Sequence, residues 1–269
     1  MAIHPQAIVD SAAEIHEEAI IGPFCVIQGA VRIEAGVTLR NNVTVYGRAS
    51  IGANTEVFPG AVIGGDPQHL GYRGEDSEVV IGRECRIHEC ATINKGTAGG
   101  GMITSVGDGC MIMAYAHIAH DCRIDERVVI GNNAQIAGHC EVGRKSVISG
   151  MVGIHHFVTI GELTFLGAMS GVRNDIPPYV MADGVPAGVR NINAVGLRRD
   201  GWSDADIRAT KEAFRALYHG RNGTPMSEVL ERLENQPGER AAPVVKLCDW
   251  LSRNLAVSIN GRMQQGVRH

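Results

Sequence analysis

Aliphatic residues recur at every sixth position along most of the first two-thirds of the chain, and nothing else in the sequence constrains the fold so tightly. Ile3, Val9, Ile15, Ile21, Ile27, Ile33, Leu39, Val45, Ile51, Val57 and Ile63 form one unbroken series, and Ile81, Ile87 and Ile93 resume it. A third run goes from Val106 through Ile112, Ile118, Ile124, Ile130, Ile136, Val142, Ile148, Ile154, Ile160 and Leu166 to Val172. A helix would repeat at about 3.6 and a plain strand at about 2, so neither accounts for six. Four residues after each aliphatic stands a small or β-branched residue: Ala7, Ala13, Ala19, Cys25, Val31, Val37, Val43 and Ala49, then Cys110, Ala116, Cys122, Val128, Ala134 and Cys140. One large and one small inward residue per hexad, with a turn between, describe a triangular coil of about 18 residues stacked into a parallel β-helix. The hexads suffice for roughly eight to nine coils, a prism about 40 Å long. Each coil supplies the backbone partners of the next, so the prism is stable only as an array.

Composition agrees with a narrow interior. Aromatics make up 4% of the 269 residues while glycine occurs 34 times. Five of the seven cysteines (Cys25, Cys85, Cys110, Cys122 and Cys140) fall in the small inward slot, where a thiol behaves as a compact hydrophobe. No C-x-x-C pair points to a metal or redox site, and a reduced, cytoplasmic setting is expected. The N-terminal stretch has no signal-peptide pattern, and no run of about 18 apolar residues suggests membrane insertion. A net charge of −4 gives no global reason to bind nucleic acid.

Two stretches break the rhythm, residues 64–80 and the glycine-rich 97–105, and such insertions become loops on one side of a solenoid. Pro177 and Pro178 are expected to end regular coiling. From Trp202 the pattern turns helical, with Ser203 as N-cap and Ile207, Phe214, Leu217 and Tyr218 on one face. Further helices are expected near 226–235 and 242–254, followed by a frayed tail beyond Asn260. The division is therefore a β-helix over 1–193 and a small helical domain over 194–269.

A lone histidine is ordinarily a satisfied core residue or an exposed one. Here His117, His120, His139, His155 and His156 all miss the inward slots and must project from the prism. With about 18 residues per coil, positions 120, 138 and 156 stack, as do 121 and 139, so His120, Asp121, His139, His155 and His156 gather at one edge within about 10 Å. That set suits a general base with an orienting carboxylate, and it suits zinc equally well.

The prism, together with "HIAHDC" (117–122), "NAQIAGH" (133–139), "GIHHF" (153–157), "DIPPYV" (175–180), "GLRR" (196–199) and the C-terminal helices, resembles the bacterial acyl-ACP:UDP-N-acetylglucosamine O-acyltransferases of lipid A biosynthesis. The resemblance implies a mainly β fold, a left-handed parallel β-helix that departs from the usual right-handed crossover, and a homotrimer with sites between prisms. It implies transfer of a fatty acyl group, 3-hydroxylated in the family, from acyl carrier protein to the 3-position of UDP-N-acetylglucosamine, with no cofactor and no metal. By matching position, His120 is the base, Asp121 its orienting partner and the Gly138 amide the oxyanion donor. His117, His139, His155 and His156 line the cleft; Gln68 contacts the sugar, Asn193 the uridine and Arg199 the diphosphate. Ala168, with Met169 beside it, stands where acyl length is set. Arg208, Lys211 and Arg215, at helical spacing, are the expected dock for the acidic carrier.

The chain departs from that pattern at several points. Gln68-His69-Leu70-Gly71 lacks the family's acid and lysine, so selection for a 3-hydroxyl should be relaxed. Asn94-Lys95-Gly96, His156, "GVPA" (184–187) and Asp200 also differ. Competing readings are the sibling N-acyltransferase, disfavoured because hexads start at Ile3; another hexapeptide acyltransferase on a related nucleotide sugar; a γ-class-type zinc carbonic anhydrase using His117, His139 or His155; and a non-catalytic scaffold.

Overall fold

A computed structural model describes residues 2–236, 240–258 and 260–267. Strands β1 (Ala2–Ile3) to β26 (Gly171–Val172) each contain one member of the six-residue aliphatic series. They distribute in rotation over three parallel sheets, with Ile3, Ile21 and Leu39 opening the first, Val9, Ile27 and Val45 the second, and Ile15, Ile33 and Ile51 the third. Three walls with a corner every six residues make a triangular prism. Outside the insertions, partners are eighteen residues apart, as in Ile3↔Ile21 and Ile118↔Ile136. The insertions lengthen single turns and keep the aliphatic positions in register, since Ile63 pairs with Ile93 and Ile81 with Val106, with one bulge where Gly65 pairs with Asn94.

The interior is filled as the two slots require. Ile21, Ile27, Leu39, Ile63, Ile112 and Ile136 are fully buried, and so are Ala19, Cys25, Val37, Ala116 and Ala134 in the small slot. Where that slot holds a thiol or hydroxyl, the group donates to a backbone carbonyl, in most cases at a corner of the next coil; Ser170 donates within its own corner, to Gly167 O at 2.7 Å. Cys122 Sγ reaches Ala137 O at 3.2 Å, Cys140 Sγ reaches His155 O at 3.1 Å and Ser146 Oγ reaches Gly161 O at 2.8 Å. A buried polar group is tolerable only when so paired.

Corners repeat as well. Three residues after the aliphatic the backbone turns left-handed even without glycine, as at Asn42, Asn54, Asp121, Asn133, His139 and Phe157. Such a residue costs on the order of 1 kcal/mol, and the stacked array imposes it at many corners, so at Asp121 and His139 it belongs to the fold. In the slot just before, the chain accommodates Pro5, Pro23 and Pro59, which have no N–H to donate.

The prolines at 177 and 178 do not end the ladder. β27 (Val180–Gly184) still pairs in parallel with β25 (Phe165–Leu166), because Pro178 sits in the corner slot where no ladder donor is needed, and among the described residues no further strand of the third sheet lies beyond Ile176 to receive an N–H from position 177. Coiling stops one element later, where β28 (Ala187–Ile192) folds back antiparallel on β27. A short helix not expected from the sequence, α1 (Ala194–Arg199), follows. Ser203 caps α2 (Asp204–Tyr218) by accepting from the Asp206 N–H, and Ile207, Phe214 and Leu217 are buried. α3 (Met226–Glu234) and α4 (Ala242–Val257) pack on it through Leu230, Leu233, Leu247 and Leu251.

The tail beyond Asn260 is a correction to the frayed end expected. α5 (Met263–Val267) is formed, and the Asp175 carboxylate holds its start by accepting from the Met263 N–H at 2.6 Å and from Asn254 Nδ2 at 2.9 Å. Burial raises the Asp175 pKa to about 6 against these hydrogen bonds.

Ala134→Leu should lower stability by about 1–3 kcal/mol in denaturant unfolding, because the slot between Ala116 and Val152 has no room for three added carbons. Asn132→Leu, two residues away and exposed, should change it by less than about 0.5 kcal/mol.

Candidate active site

The second sheet carries the site. β17 (His117–Ile118), β20 (Gln135–Ile136), β23 (Gly153–Ile154) and β26 align His117, Gln135, Gly153 and Gly171 in one outward row. At the corner leading to the third sheet, His120, Gly138 and His156 stack, as do Asp121, His139 and Phe157. The corner is tied by His139 N–H to His120 O at 3.0 Å and Phe157 N–H to Gly138 O at 3.1 Å.

These side chains leave the prism as expected; His155 and His156 are solvent-exposed, but His120 is 4% and Asp121 3% accessible, and His139 is buried too. The two inserted loops fold over them. Asp121 is the centre. Its carboxylate accepts from Thr97 N–H at 2.8 Å, Thr97 O–H at 2.6 Å and His120 Nδ1 at 2.7 Å, while its own N–H donates to Thr104 Oγ1 at 2.8 Å. Burial works to raise the carboxyl pKa, but the hydrogen bonds from His120 and Thr97 together hold it below the usual value, so Asp121 is an anion. An anion on Nδ1 fixes that nitrogen as the N–H of a neutral ring and leaves Nε2 as a basic lone pair.

Gly100 explains the glycine-rich insertion. A Cβ there would lie 1.7 Å from the Asp121 carboxyl carbon, so only glycine lets the loop close over the carboxylate. Gly138 has the same function under the imidazole, where a Cβ would come within 2.7 Å of His120 Nε2. Gly138 occupies the corner slot that elsewhere holds proline, and among the described residues its N–H has no partner. A buried donor left in that state normally costs about 1–3 kcal/mol, unless a ligand takes it up.

Around this centre lie two cavities. One, of about 480 Å³, runs along the second sheet past Gln68, His117, His120, Gly138, His155 and His156. The other, about 350 Å³, lies under the loops between His69, Thr97, His139, Phe157 and Gln265. A roomier cavity of about 550 Å³ separates the third sheet from α4, and among the described residues no histidine lines it. His139 stacks on Phe157 at 4.5 Å, and His69 and His139 both meet the His120 ring edge-on at 5.0 Å. His117 Nδ1 is 2.7 Å from Thr92 Oγ1, and burial, with a smaller contribution from the nearby His120, lowers its pKa. His156 is lowered by burial and by its neighbour His155.

Several expected site residues stand elsewhere. The Asn193 side chain is buried and committed: Oδ1 caps α1 by accepting from Gly196 N–H at 3.0 Å, and Nδ2 donates to Leu163 O at 2.8 Å. Arg199 is exposed on the same helix, at the corner between the third and first sheets, and within one chain neither joins the histidines. Asp200 pairs there with Lys145 and accepts from Trp202 Nε1 at 3.2 Å, which accounts for an acid where the related pattern has arginine. Ala168 and Met169 are exposed at the opposite edge of the second sheet, and Arg208, Lys211 and Arg215 are exposed on α2. The zinc reading fares poorly on geometry. His155 Nδ1 faces the Arg262 guanidinium, a repulsive neighbour for a cation, and in the compact trio His120, Asp121 and His139 the carboxylate is already occupied by Thr97 and His120. Thr97, Gly100 and Arg262 were not singled out by the sequence.

The hexapeptide description "Bacterial transferase hexapeptide (six repeats)" matches residues 12–47 and 103–138, and "Udp N-acetylglucosamine O-acyltransferase; Domain 2" matches residues 175–255. With the site at a coil corner, these define a hexapeptide-repeat transferase built on a left-handed parallel β-helix with a helical C terminus. The acyl-[acyl-carrier-protein]–UDP-N-acetylglucosamine O-acyltransferase of Thermodesulfovibrio yellowstonii is 40% identical over 94% of this chain and 96% of its own length. The enzyme of the same name from Rhizobium johnstonii is 36% identical over 98% and 97%. The solved structure of LpxA from Acinetobacter baumannii superposes with a TM-score of 0.88 at 34% identity, covering 94% of this chain and 97% of that one. The chain belongs to the acyl-[acyl-carrier-protein]–UDP-N-acetylglucosamine O-acyltransferase family.

Gly100→Ala should lift the 97–102 loop from Asp121. Hydrogen exchange at the Thr97 amide should then accelerate at least about tenfold while the coil amides keep their protection; unchanged protection at Thr97 would contradict the clasp.

Proposed function

We propose that the corner at His120 transfers a fatty acyl group from the thioester of acyl carrier protein to the 3-hydroxyl of UDP-N-acetylglucosamine, the opening reaction of lipid A biosynthesis. The observation that carries this is the 2.7 Å contact between His120 Nδ1 and an ionised Asp121, beside the partnerless N–H of Gly138. A sugar hydroxyl has a pKa far above 7 and needs a base as it attacks. His120 Nε2 takes that proton while the hydroxyl oxygen bonds to the thioester carbon. The carbonyl oxygen, now anionic, accepts from Gly138 N–H, a contribution of roughly 3–4 kcal/mol where comparable donors have been removed. The tetrahedral adduct collapses, the C–S bond breaks, and His120 returns the proton to the leaving thiolate. Asp121 stabilises the imidazolium in between and stays ionised.

Substrate contacts follow from the two cavities. His117, His155, His156 and Gln68 line the cleft within one chain, and His139 lines the cavity under the loops. Arg199 sits at another corner of the prism, so we propose a homotrimer in which it and the α1 region serve the neighbour's site; Asn193, engaged as a cap, is left out of this assignment. Ala168, with Met169, is proposed as the acyl stop, and Arg208, Lys211 and Arg215 as the carrier's dock. A cytoplasmic site of action fits an acyl-carrier substrate, and no described helix is long and apolar enough to cross a membrane. His69, in place of an acid, offers the acyl 3-hydroxyl no charged acceptor.

His120→Ala should lower turnover at least about 100-fold, since removing a general base usually costs 10² to 10⁴, while the coils stay folded with stability lowered by about 1–3 kcal/mol because the buried Asp121 carboxylate loses a hydrogen bond. Asp121→Asn should lower turnover less, because the base remains but is poorly oriented. Near-wild-type turnover of His120→Ala would remove it from the mechanism.

A further inference from the structure

The wall of the cavity along the second sheet contains His117, His120, His155, His156 and Arg173 and not one carboxylate. At its lower end stands a second guanidinium. Arg262 Nη1 meets His155 Nδ1 and lies 3.3 Å from His156 O. A guanidinium has no lone pair to offer, so His155 Nδ1 is the acceptor, and the proton of that neutral ring sits on Nε2, making His155 a donor as well. Arg262 Nε is buried and without a partner among the described residues.

This arrangement is held from behind. Asp175 N–H donates to Gly261 O at 2.7 Å, the Asp175 carboxylate accepts from Met263 N–H, and Gln264 Nε2 lies 3.4 Å from Thr159 Oγ1. The Arg262 segment thus runs beside the segment that carries Arg173, two residues before Asp175; Arg173 lines the cleft, and Arg262 stands against His155 and His156, which line it too. Asp175 lies near Arg262, but its carboxylate is taken up by the Met263 N–H and Asn254, and neither a neutral acyl chain nor a cation explains two arginines and two histidines at a wall that has no carboxylate of its own. A phosphate does, since a guanidinium fork pairs two of its oxygens at once.

We infer that Arg262, delivered by the C-terminal segment, forms with Arg173 and His155 a phosphate-binding end of the cleft. The inference rests on the acyl-transfer reading, in which both substrates carry phosphate: the nucleotide sugar as a diphosphate and the carrier on its phosphopantetheine arm. It assigns the segment from Gly261 to Gln265 a part in substrate binding.

The test uses the full chain as wild type, Arg262→Gln, Arg262→Lys and Arg173→Gln, with KM and kcat measured for UDP-N-acetylglucosamine and for acyl-ACP separately. Arg262→Gln should raise one KM at least about tenfold with kcat within about threefold, and Arg262→Lys should recover part of the loss, because it restores charge without the fork. The substrate whose KM moves identifies the phosphate. Calorimetric titration with UDP-N-acetylglucosamine and with phosphopantetheine gives the same comparison without turnover. Unchanged KM and binding in both arginine-to-glutamine variants, or a fall in melting temperature alone, would overturn the inference. A wild type that binds but does not transfer would instead overturn the acyl-transfer reading.

Discussion

The whole molecule depends on the stacking of one coil on the next in fixed register. Because each rung places the same slot over the same slot, as in His117↔Gln135 and Ile118↔Ile136, residues eighteen apart in sequence become neighbours at about 4.8 Å. The register is locked from inside: a slip would put the small slot against the large one and leave either a void or a clash. A rigid array of this kind holds corner residues without help from a deep core, and it tolerates their left-handed backbone. Chemistry placed at a corner inherits that rigidity.

The site adds to the prism a single buried anion and what closes over it. Asp121 gathers His120, Thr97 and the loop backbone, and the absence of a side chain at Gly100 is what lets the loop come down. Water is thereby kept from the Nδ1 side of His120, while Nε2 remains the basic nitrogen. Gly138 contributes twice, by leaving room for the imidazole and by presenting an N–H that the corner geometry never uses. Thiols in the small slot, Cys122 and Cys140, donate to the carbonyls at 137 and 155 and so brace the cleft's backbone from within.

Much of this was legible in the residues. The period of six gave the strands, the sheets they rotate among and the gathering of His120, Asp121 and His139, because in a solenoid spacing in sequence is spacing in space. What escaped were contacts made by segments outside the repeat. Thr97 and Gly100 lie in an insertion whose path no period dictates; only the run of three glycines hinted at a close approach. Arg262 lies in a segment that reads as a polar tail, and its order comes from Asp175, far away in sequence. Asn193 illustrates the reverse case: it fits a binding pattern by position, yet its amide is used up in capping α1. Burial of His120 and His139 was missed for the same reason, since the loops that cover them are not repeats.

The most direct test of the account is chemical. Purified protein mixed with UDP-N-acetylglucosamine and 3-hydroxyacyl-ACP, followed by mass spectrometry and NMR of the nucleotide sugar, should show gain of one acyl group as an ester at the 3-position, with release of one carrier thiol per ester formed. Recovery of the sugar nucleotide unchanged, with the thioester intact, would contradict it.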